Sequence, residues 1–223
     1  MSYWRSVYVI LKKDLLTEWR SREIFSSMFA FVVLVTLIFN FAFELRVEDV
    51  TKVAPGALWV AFAFAGVLGL NRSFILEKDK GCLEGLLLAP VDRSALFLGK
   101  WLGNLTFMAF VEIITLPIFS ALFNVNLFRP ALFLVLALGT LGFAGVGTLF
   151  AAMAVNTRAR EIMLPLLLFS VSIPVTIAAV KATGVILDNS PLSEASSWIR
   201  LMVVFDIIFI AISLLTFEYV LEE

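Results

Sequence analysis

Six stretches of the chain are long and apolar enough to cross a lipid bilayer. Residues 24–43 contain no charged side chain, and at about 1.5 Å per residue a helix of this length is about 30 Å long, the thickness of the hydrocarbon core. Similar stretches occupy residues 53–71, 101–123, 131–155, 162–180 and 198–219. We therefore predict an all-α integral membrane protein with six transmembrane helices, forming a single domain over residues 1–223.

The composition argues against several classes of function. Apolar residues make up 61% of the chain, against roughly 45–50% in soluble domains. The net charge of −1 argues against nucleic-acid binding, which needs clustered cations. With no histidine and one cysteine, the sequence offers neither a zinc-type ligand set nor a Ser-His-Asp triad. For that reason we expect no structural metal. The sequence also lacks a P-loop motif, so we expect no ATPase site in this chain.

Residues 1–23 precede the first span and have the pattern of an amphipathic helix. Apolar side chains recur at steps of three and four residues, at Trp4, Val7, Tyr8, Leu11, Leu15 and Trp19. The cations of this segment are Arg5, Lys12, Lys13, Arg20 and Arg22. Because Trp and Tyr favour the headgroup level and cations favour anionic lipid, we predict a helix on the membrane surface. A soluble helix packed on a partner protein is the alternative.

Glycine and proline distinguish the fourth and fifth spans. Gly139, Gly142, Gly145 and Gly147 lie close together in residues 131–155, and in lipid such small residues let helix backbones approach. We therefore predict a packing face there. The fifth span contains two prolines, Pro165 and Pro174, where we expect a kink or a break. Residues 181–197 are predicted to form a polar connection to the sixth span.

Two carboxylates, Glu112 and Asp206, fall inside predicted spans. An unpaired charge in that position costs at least about 2.5–3.5 kcal/mol. We therefore expect both groups to be protonated, paired or facing a polar cavity. A part in transport or proton relay is one interpretation, and a structural hydrogen bond between helices is the other.

The distribution of cations predicts the orientation of the spans. Of the 17 Lys and Arg residues, 12 fall on the side that holds the N-terminal segment and residues 72–100, and 5 fall on the other side. Because Lys and Arg accumulate on the cytoplasmic side of membrane proteins, we predict that both termini are cytoplasmic.

The segment between the second and third spans is the best candidate for contact with a cytoplasmic partner. Residues 71–100 hold 9 of the 35 charged residues. Gly81 permits a turn, residues 83–88 are long enough for a short helix, and Pro90 ends it; Asp92 or Ser94 is a candidate N-cap for the next helix. Leucines exposed on such a helix would form an apolar patch unless a partner covered them. An ordinary solvated loop is the alternative.

Several stretches of the chain resemble one family of transport proteins. These are EKDKGCLEGLLLAPVDRSALFLGK at residues 77–100, WRSVYVILKKDLLTEWRSRE at 4–23, VAPGALWVAFAFAGVLGLNRSF at 53–74 and FDIIFIAISLLTFEYVLEE at 205–223. They resemble the haem-exporter B subunit (CcmB) family, the permease of the cytochrome c maturation ABC transporter. The pattern GxLExLLLxP alone recurs in other type-two ABC exporters, whereas the resemblance here covers the whole chain.

The resemblance implies a bacterial inner-membrane permease whose partners are a cytoplasmic ATPase that binds ATP, haem-handling membrane subunits and possibly a second copy of the chain. It further implies that residues 72–100 form the coupling segment to the ATPase, with Glu77, Gly81, Leu83, Glu84, Leu86 and Pro90 as contact residues. Haem would be a transported or handed-on ligand and not a cofactor of this chain. The alternatives are an ABC exporter for lipid, glycan or drug, a proton-coupled secondary transporter and a structural membrane scaffold.

Overall fold

The computed structural model describes residues 3–44, 49–79, 81, 85, 91–155, 157 and 159–220. This part of the chain forms seven α-helices and no β-strand. The helices are α1 (Tyr3–Ser21), α2 (Glu23–Glu44), α3 (Ala54–Asp79), α4 (Arg93–Phe123), α5 (Pro130–Ala154), α6 (Arg160–Leu187) and α7 (Leu192–Val220). Helices α2 to α7 are long and apolar enough to cross a membrane. The predicted all-α architecture with six spans is confirmed.

A single residue, Arg22, joins α1 to the first span, α2. Arg22 has a φ of 55°, in the left-handed region that residues other than glycine seldom adopt. Glu18 fixes this turn, because its carbonyl accepts from the Arg22 N–H at 2.7 Å and its carboxylate accepts from the Phe25 N–H at 2.8 Å. A carboxylate is favourable at this position because the N-terminus of a helix carries a partial positive charge.

One of the long helices extends well beyond its predicted span. Helix α6 continues through Gly184 to Leu187 and α7 begins at Leu192, so most of residues 181–197 is helical and only residues 188–191 form the connection. Polar and small residues at the end of α6 were interpreted as a loop, although a helix that leaves the hydrocarbon tolerates them. Helix α4 begins at Arg93, directly after the N-cap candidate Asp92 and before the apolar span predicted from residue 101.

The helix-breaking signals acted at some positions and not at others. Pro165 and Pro174 both lie inside the continuous helix α6, so the chain does not break at either proline, and the alternative, a kink, stays a prediction. Asp92 occupies the predicted N-cap position of α4, but its side chain makes no capping hydrogen bond. Between α4 and α5, Asn124 adopts the left-handed conformation, and Pro130 is the first residue of α5.

Helix α5 runs through the centre of the bundle, and its glycines form the predicted packing face. A Cβ atom at Gly139 would clash with the ring of Trp59, and one at Gly147 would clash with Leu70, both from α3. A Cβ atom at Gly145 would lie 3.3 Å from Ile210 of α7. Neighbouring helices therefore approach α5 more closely than any larger residue would permit.

One end of the bundle gathers α1, the first turns of α4 and the last turns of α3, α5 and α7; we call it the α1 end. The Lys78 ammonium of α3 donates to the carbonyl of Val155, just after α5, at 2.8 Å. The ring of Phe217 in α7 lies 5.1 Å from that of Phe97 in α4. Helix α1 and the last turns of α7 therefore lie at the same end of the bundle as the last turn of α3 and the first turns of α4.

Contacts at the opposite end show that consecutive spans alternate in direction. The Asn40 amide of α2 donates to the carbonyl of Leu122 in α4 at 2.7 Å. Arg129, just before α5, donates from its guanidinium to the carbonyl of Ile186 in α6. The last turns of α2, α4 and α6 thus meet the start of α5 at this end.

Candidate functional site

The residues expected to contact an ATPase fall largely outside the described chain. Leu83, Glu84, Leu86 and Pro90 are not among the described residues, and Glu77 belongs to α3 although its side chain is not described. Gly81 follows α3 with a φ of 66°, and its N–H donates to the carbonyl of Lys78 at 2.9 Å. The chain thus turns where the sequence predicted, through a conformation that favours glycine.

The two helices that flank this segment are bound to each other and to the bundle. Near the end of α3, the guanidinium of Arg72 pairs with the carboxylate of Glu23 in α2 at 3.5 Å. One residue further along α3, the carbonyl of Ser73 accepts from the ammonium of Lys100 in α4 at 3.4 Å. The helices on either side of residues 80–92 are therefore joined to each other, and α3 is also joined to α2.

Lys100 is buried, contrary to its assignment to an exposed contact surface. Its side chain is 1% exposed, and its ammonium lies 3.2 Å from the carboxylate of Asp14 in α1 and 5.2 Å from the ring centroid of Phe74. Gly99 provides the room for this pairing, because a Cβ atom there would lie 2.7 Å from Ile10. The prediction missed the pair because its members are distant in sequence and each fits a solvated charge.

Glu112 lies between α4 and α5 and has a hydrogen-bond partner. The hydroxyl of Thr140 donates to its carboxylate at 2.5 Å, and the residue is 5% exposed. A small pocket beside it leaves about 10 Å³ for the centre of a water molecule, about the space that one water needs. The pocket is lined by Trp59, Phe62, Ala63, Met108, Glu112, Gly139, Thr140, Phe143 and Thr176.

Asp206 has the opposite environment, although it too is buried inside the membrane-spanning bundle. Neither carboxylate oxygen has a hydrogen-bond partner among the described residues, and the residue is 4% exposed. Its carboxylate occupies the space where Gly142 of α5 would carry a Cβ atom. Of the two intramembrane carboxylates, one is therefore paired and the other is not.

The described residues contain no group of three or more His, Cys, Asp and Glu side chains placed to hold a metal ion. Glu112 and Asp206 both pack against α5, through Thr140 and Gly142 respectively. The site is therefore made of two parts: a charged, tightly packed α1 end and two separate carboxylates in the spans.

Comparison with known proteins identifies the family. A family model described as CcmB protein matches residues 5–222. Heme exporter protein B of Rhodobacter capsulatus is 29% identical over 171 residues, covering 75% of this chain and 78% of the relative. The protein of the same name from Pseudomonas aeruginosa is 27% identical, with 81% of both chains covered, and that of Haemophilus influenzae is 30% identical, with 76% and 77% covered. Because the match spans nearly the whole sequence and the six membrane helices, the chain belongs to the CcmB family.

Proposed function

We propose that this chain is the permease subunit of an ABC transporter for haem export in cytochrome c maturation, driven by a separate ATPase subunit. The observation that carries the proposal is the family match over residues 5–222, supported by relatives named heme exporter protein B. The absence of a P-loop motif in the sequence is consistent with a subunit that does not bind ATP itself.

The α1 end is proposed to face the cytoplasm of a bacterial inner membrane. It holds α1, the start of α4 and the last turns of α3, which carry 8 of the 17 Lys and Arg residues, whereas only 5 of the 17 fall on the other side of the predicted spans; cations mark the cytoplasmic side. Both termini and residues 72–100 then lie where a cytoplasmic ATPase can reach them.

Coupling is proposed to pass through residues 80–92 into α3 and α4. Lys78 binds α3 to the end of α5, and Lys100 binds α4 to both α1 and α3. Because these contacts tie the ends of α3 and α4 to α1 and to the end of α5, a displacement of the segment would move the ends of several helices together. The contact residues of this proposal remain Glu77, Gly81, Leu83, Glu84, Leu86 and Pro90.

Haem is proposed to be cargo that this chain does not ligate through its iron. Axial ligands of haem iron are usually His, Met, Cys or Tyr, and the sequence contains no His, one Cys, six Met and three Tyr. Haem-handling membrane subunits would then hold the iron, while this chain, alone or with a second copy, supplies the moving helices.

Substitution in the coupling segment tests this proposal. We expect Leu86→Asp combined with Glu84→Lys to leave membrane insertion intact and to abolish both co-purification of the ATPase in mild detergent and maturation of c-type cytochromes. Asp188→Lys, an exposed position at the opposite end of the bundle, is the matched control and should change neither. Unchanged co-purification in the double variant would contradict the coupling assignment.

A proton-coupled secondary transporter is the second candidate, and the unpartnered Asp206 is the observation that favours it. The two mechanisms differ in their energy source. If cytochrome maturation persists when the ATPase subunit carries a defective nucleotide site, the secondary transporter is the better description.

A further inference from the structure

Helix α1 directs both of its carboxylates toward the protein. Glu18 is buried and binds the N-terminus of α2, while Asp14 pairs with the buried Lys100 of α4 at 3.2 Å. Val7 and Ile10 are buried beside them. The acidic groups of α1 are thus occupied in its contacts with the rest of the chain, and the outward face of the helix is left with its cations.

The outward face separates into an aromatic stripe and a cationic stripe. Because an α-helix turns about 100° per residue, Trp4, Tyr8 and Trp19 fall within about 60° of one another, and the cations follow on the side away from the protein contact within about 80°. Trp4, Tyr8 and Trp19 are 71%, 60% and 77% exposed. The cations of the stripe are Arg5, Lys12 and Arg20, all exposed. Within the described chain none of them pairs with a carboxylate.

The connection to α2 fixes where this face lies. Only Arg22 separates α1 from the first membrane span, so α1 ends at the membrane boundary. Exposed Trp and Tyr side chains favour the headgroup level of a bilayer. An open groove lies beside them and combines three cationic, two apolar and two hydroxyl side chains. It is lined by Val9, Lys12, Lys13, Leu16, Thr17, Arg20 and Ser21.

We propose that this outward face of α1 binds the headgroups of anionic phospholipids in the leaflet on which it lies. The aromatic stripe enters the interface, and Arg5, Lys12 and Arg20 bind the phosphate and headgroup charge. The inference requires a membrane but no ATPase, so it stands or falls independently of the coupling mechanism.

Lipid selectivity of the full-length chain tests the inference. The protein is reconstituted in vesicles of equal parts phosphatidylglycerol and phosphatidylcholine, and the lipids retained after mild extraction are measured by native mass spectrometry. We expect preferential retention of phosphatidylglycerol, which weakens as salt is raised. Each cation near the surface contributes about 1 kcal/mol, or about fivefold. Replacing Arg5, Lys12 and Arg20 by Gln should therefore lower the preference by up to about 100-fold at low salt.

The matched control is Lys181→Gln with Arg200→Gln, two exposed cations outside α1. This variant should keep the full preference, and both variants should unfold at the wild-type temperature. The inference is overturned if the wild-type protein shows no preference, if the α1 variant keeps it, or if the control loses as much. It is also overturned if the α1 variant keeps its lipids but no longer co-purifies with the ATPase, because the face would then be a protein contact.

Discussion

The central helix α5 and the peripheral helices α2 and α7 are similarly apolar, yet they have opposite surroundings. In the most apolar 18-residue window of each helix, 72% of α5 is buried, against 22% of α2 and 22% of α7. The sequences differ in small residues: α5 contains four glycines, and α2 and α7 contain none. Because lipid is as apolar as leucine, apolarity alone does not drive a helix to the centre of a bundle, whereas close backbone packing does.

Helix α3 is also central and is also packed through glycines. In its most apolar 18-residue window, 72% of the residues are buried. A Cβ atom at its Gly69 would lie 2.5 Å from the sulfur of Met28 in α2, and one at Gly66 would lie 2.7 Å from Met108 in α4. At the α1 end the same kind of glycine contact is combined with an ion pair, because a Cβ atom at Gly99 of α4 would lie 2.7 Å from Ile10 of α1, beside the pair between Lys100 and Asp14. The following predictions test the ion pair and the glycine contacts separately.

The largest effect is expected from breaking the ion pair between Lys100 and Asp14. Lys100→Met leaves the carboxylate of Asp14 without its buried partner, and breaking a buried ion pair typically costs about 3–5 kcal/mol. We expect the lower end of that range, because Lys13 also lies 3.2 Å from Asp14. The measurement is the free energy of unfolding in mild detergent. The control Lys181→Met, at an exposed cation of α6, should change it by less than about 0.5 kcal/mol.

Combining Lys100→Met with Asp14→Leu should recover most of the loss, since replacing both members of a buried pair by apolar residues is often neutral. If the double variant is no more stable than Lys100→Met alone, the pair is not what holds α1 to α4.

A smaller loss is expected from filling the central packing face. Gly147→Leu forces α5 away from Leu70 of α3, and overpacking typically costs about 1–3 kcal/mol. Ala30→Leu places the same side chain on an exposed face of α2, adding one carbon fewer than Gly147→Leu, and should cost less than about 0.5 kcal/mol. The unfolding free energies of the two variants should therefore separate clearly. Equal costs would show that small residues do not determine which helix is central.

The smallest effect is expected at the intramembrane carboxylates. Asp206→Asn replaces an unpartnered group by a neutral one of the same shape and should raise the unfolding free energy by about 1 kcal/mol, since uncompensated carboxylates are costly in lipid. Glu112→Gln keeps an acceptor for Thr140 and should be close to neutral. We further expect Asp206→Asn, but not Glu112→Gln, to lower cytochrome c maturation. Full activity of both variants would exclude a carboxylate function at either position.

Much of the fold was predictable because lipid imposes strict demands on sequence. Stretches without charge located six helices, and clustered glycines located the face at which α5 packs against its neighbours. The sequence could not show where α6 ends, because polar residues are tolerated where a helix emerges from the hydrocarbon. Nor could it show that Lys100 is buried, because its partner Asp14 belongs to a different helix.

The extent of α1 was predicted correctly, but which of its apolar residues contact the rest of the chain was not. The apolar positions of α1 were interpreted as one membrane-facing stripe. In the structure Val7 is buried against the chain itself, whereas Trp4 and Trp19 point outward. Helical periodicity identifies which residues share a sector of a helix, but it does not identify what that sector contacts.

The one-residue joint at Arg22 links the protein to the thickness of its membrane. A span adapts to a thicker or thinner bilayer by changing its tilt. Because Glu18 binds the first turn of α2, no flexible linker separates the two helices. A change in the tilt of α2 therefore also changes the orientation of α1. Through Asp14 and Lys100 this movement reaches α4, which makes the geometry of the α1 end dependent on the thickness of the bilayer that surrounds the protein.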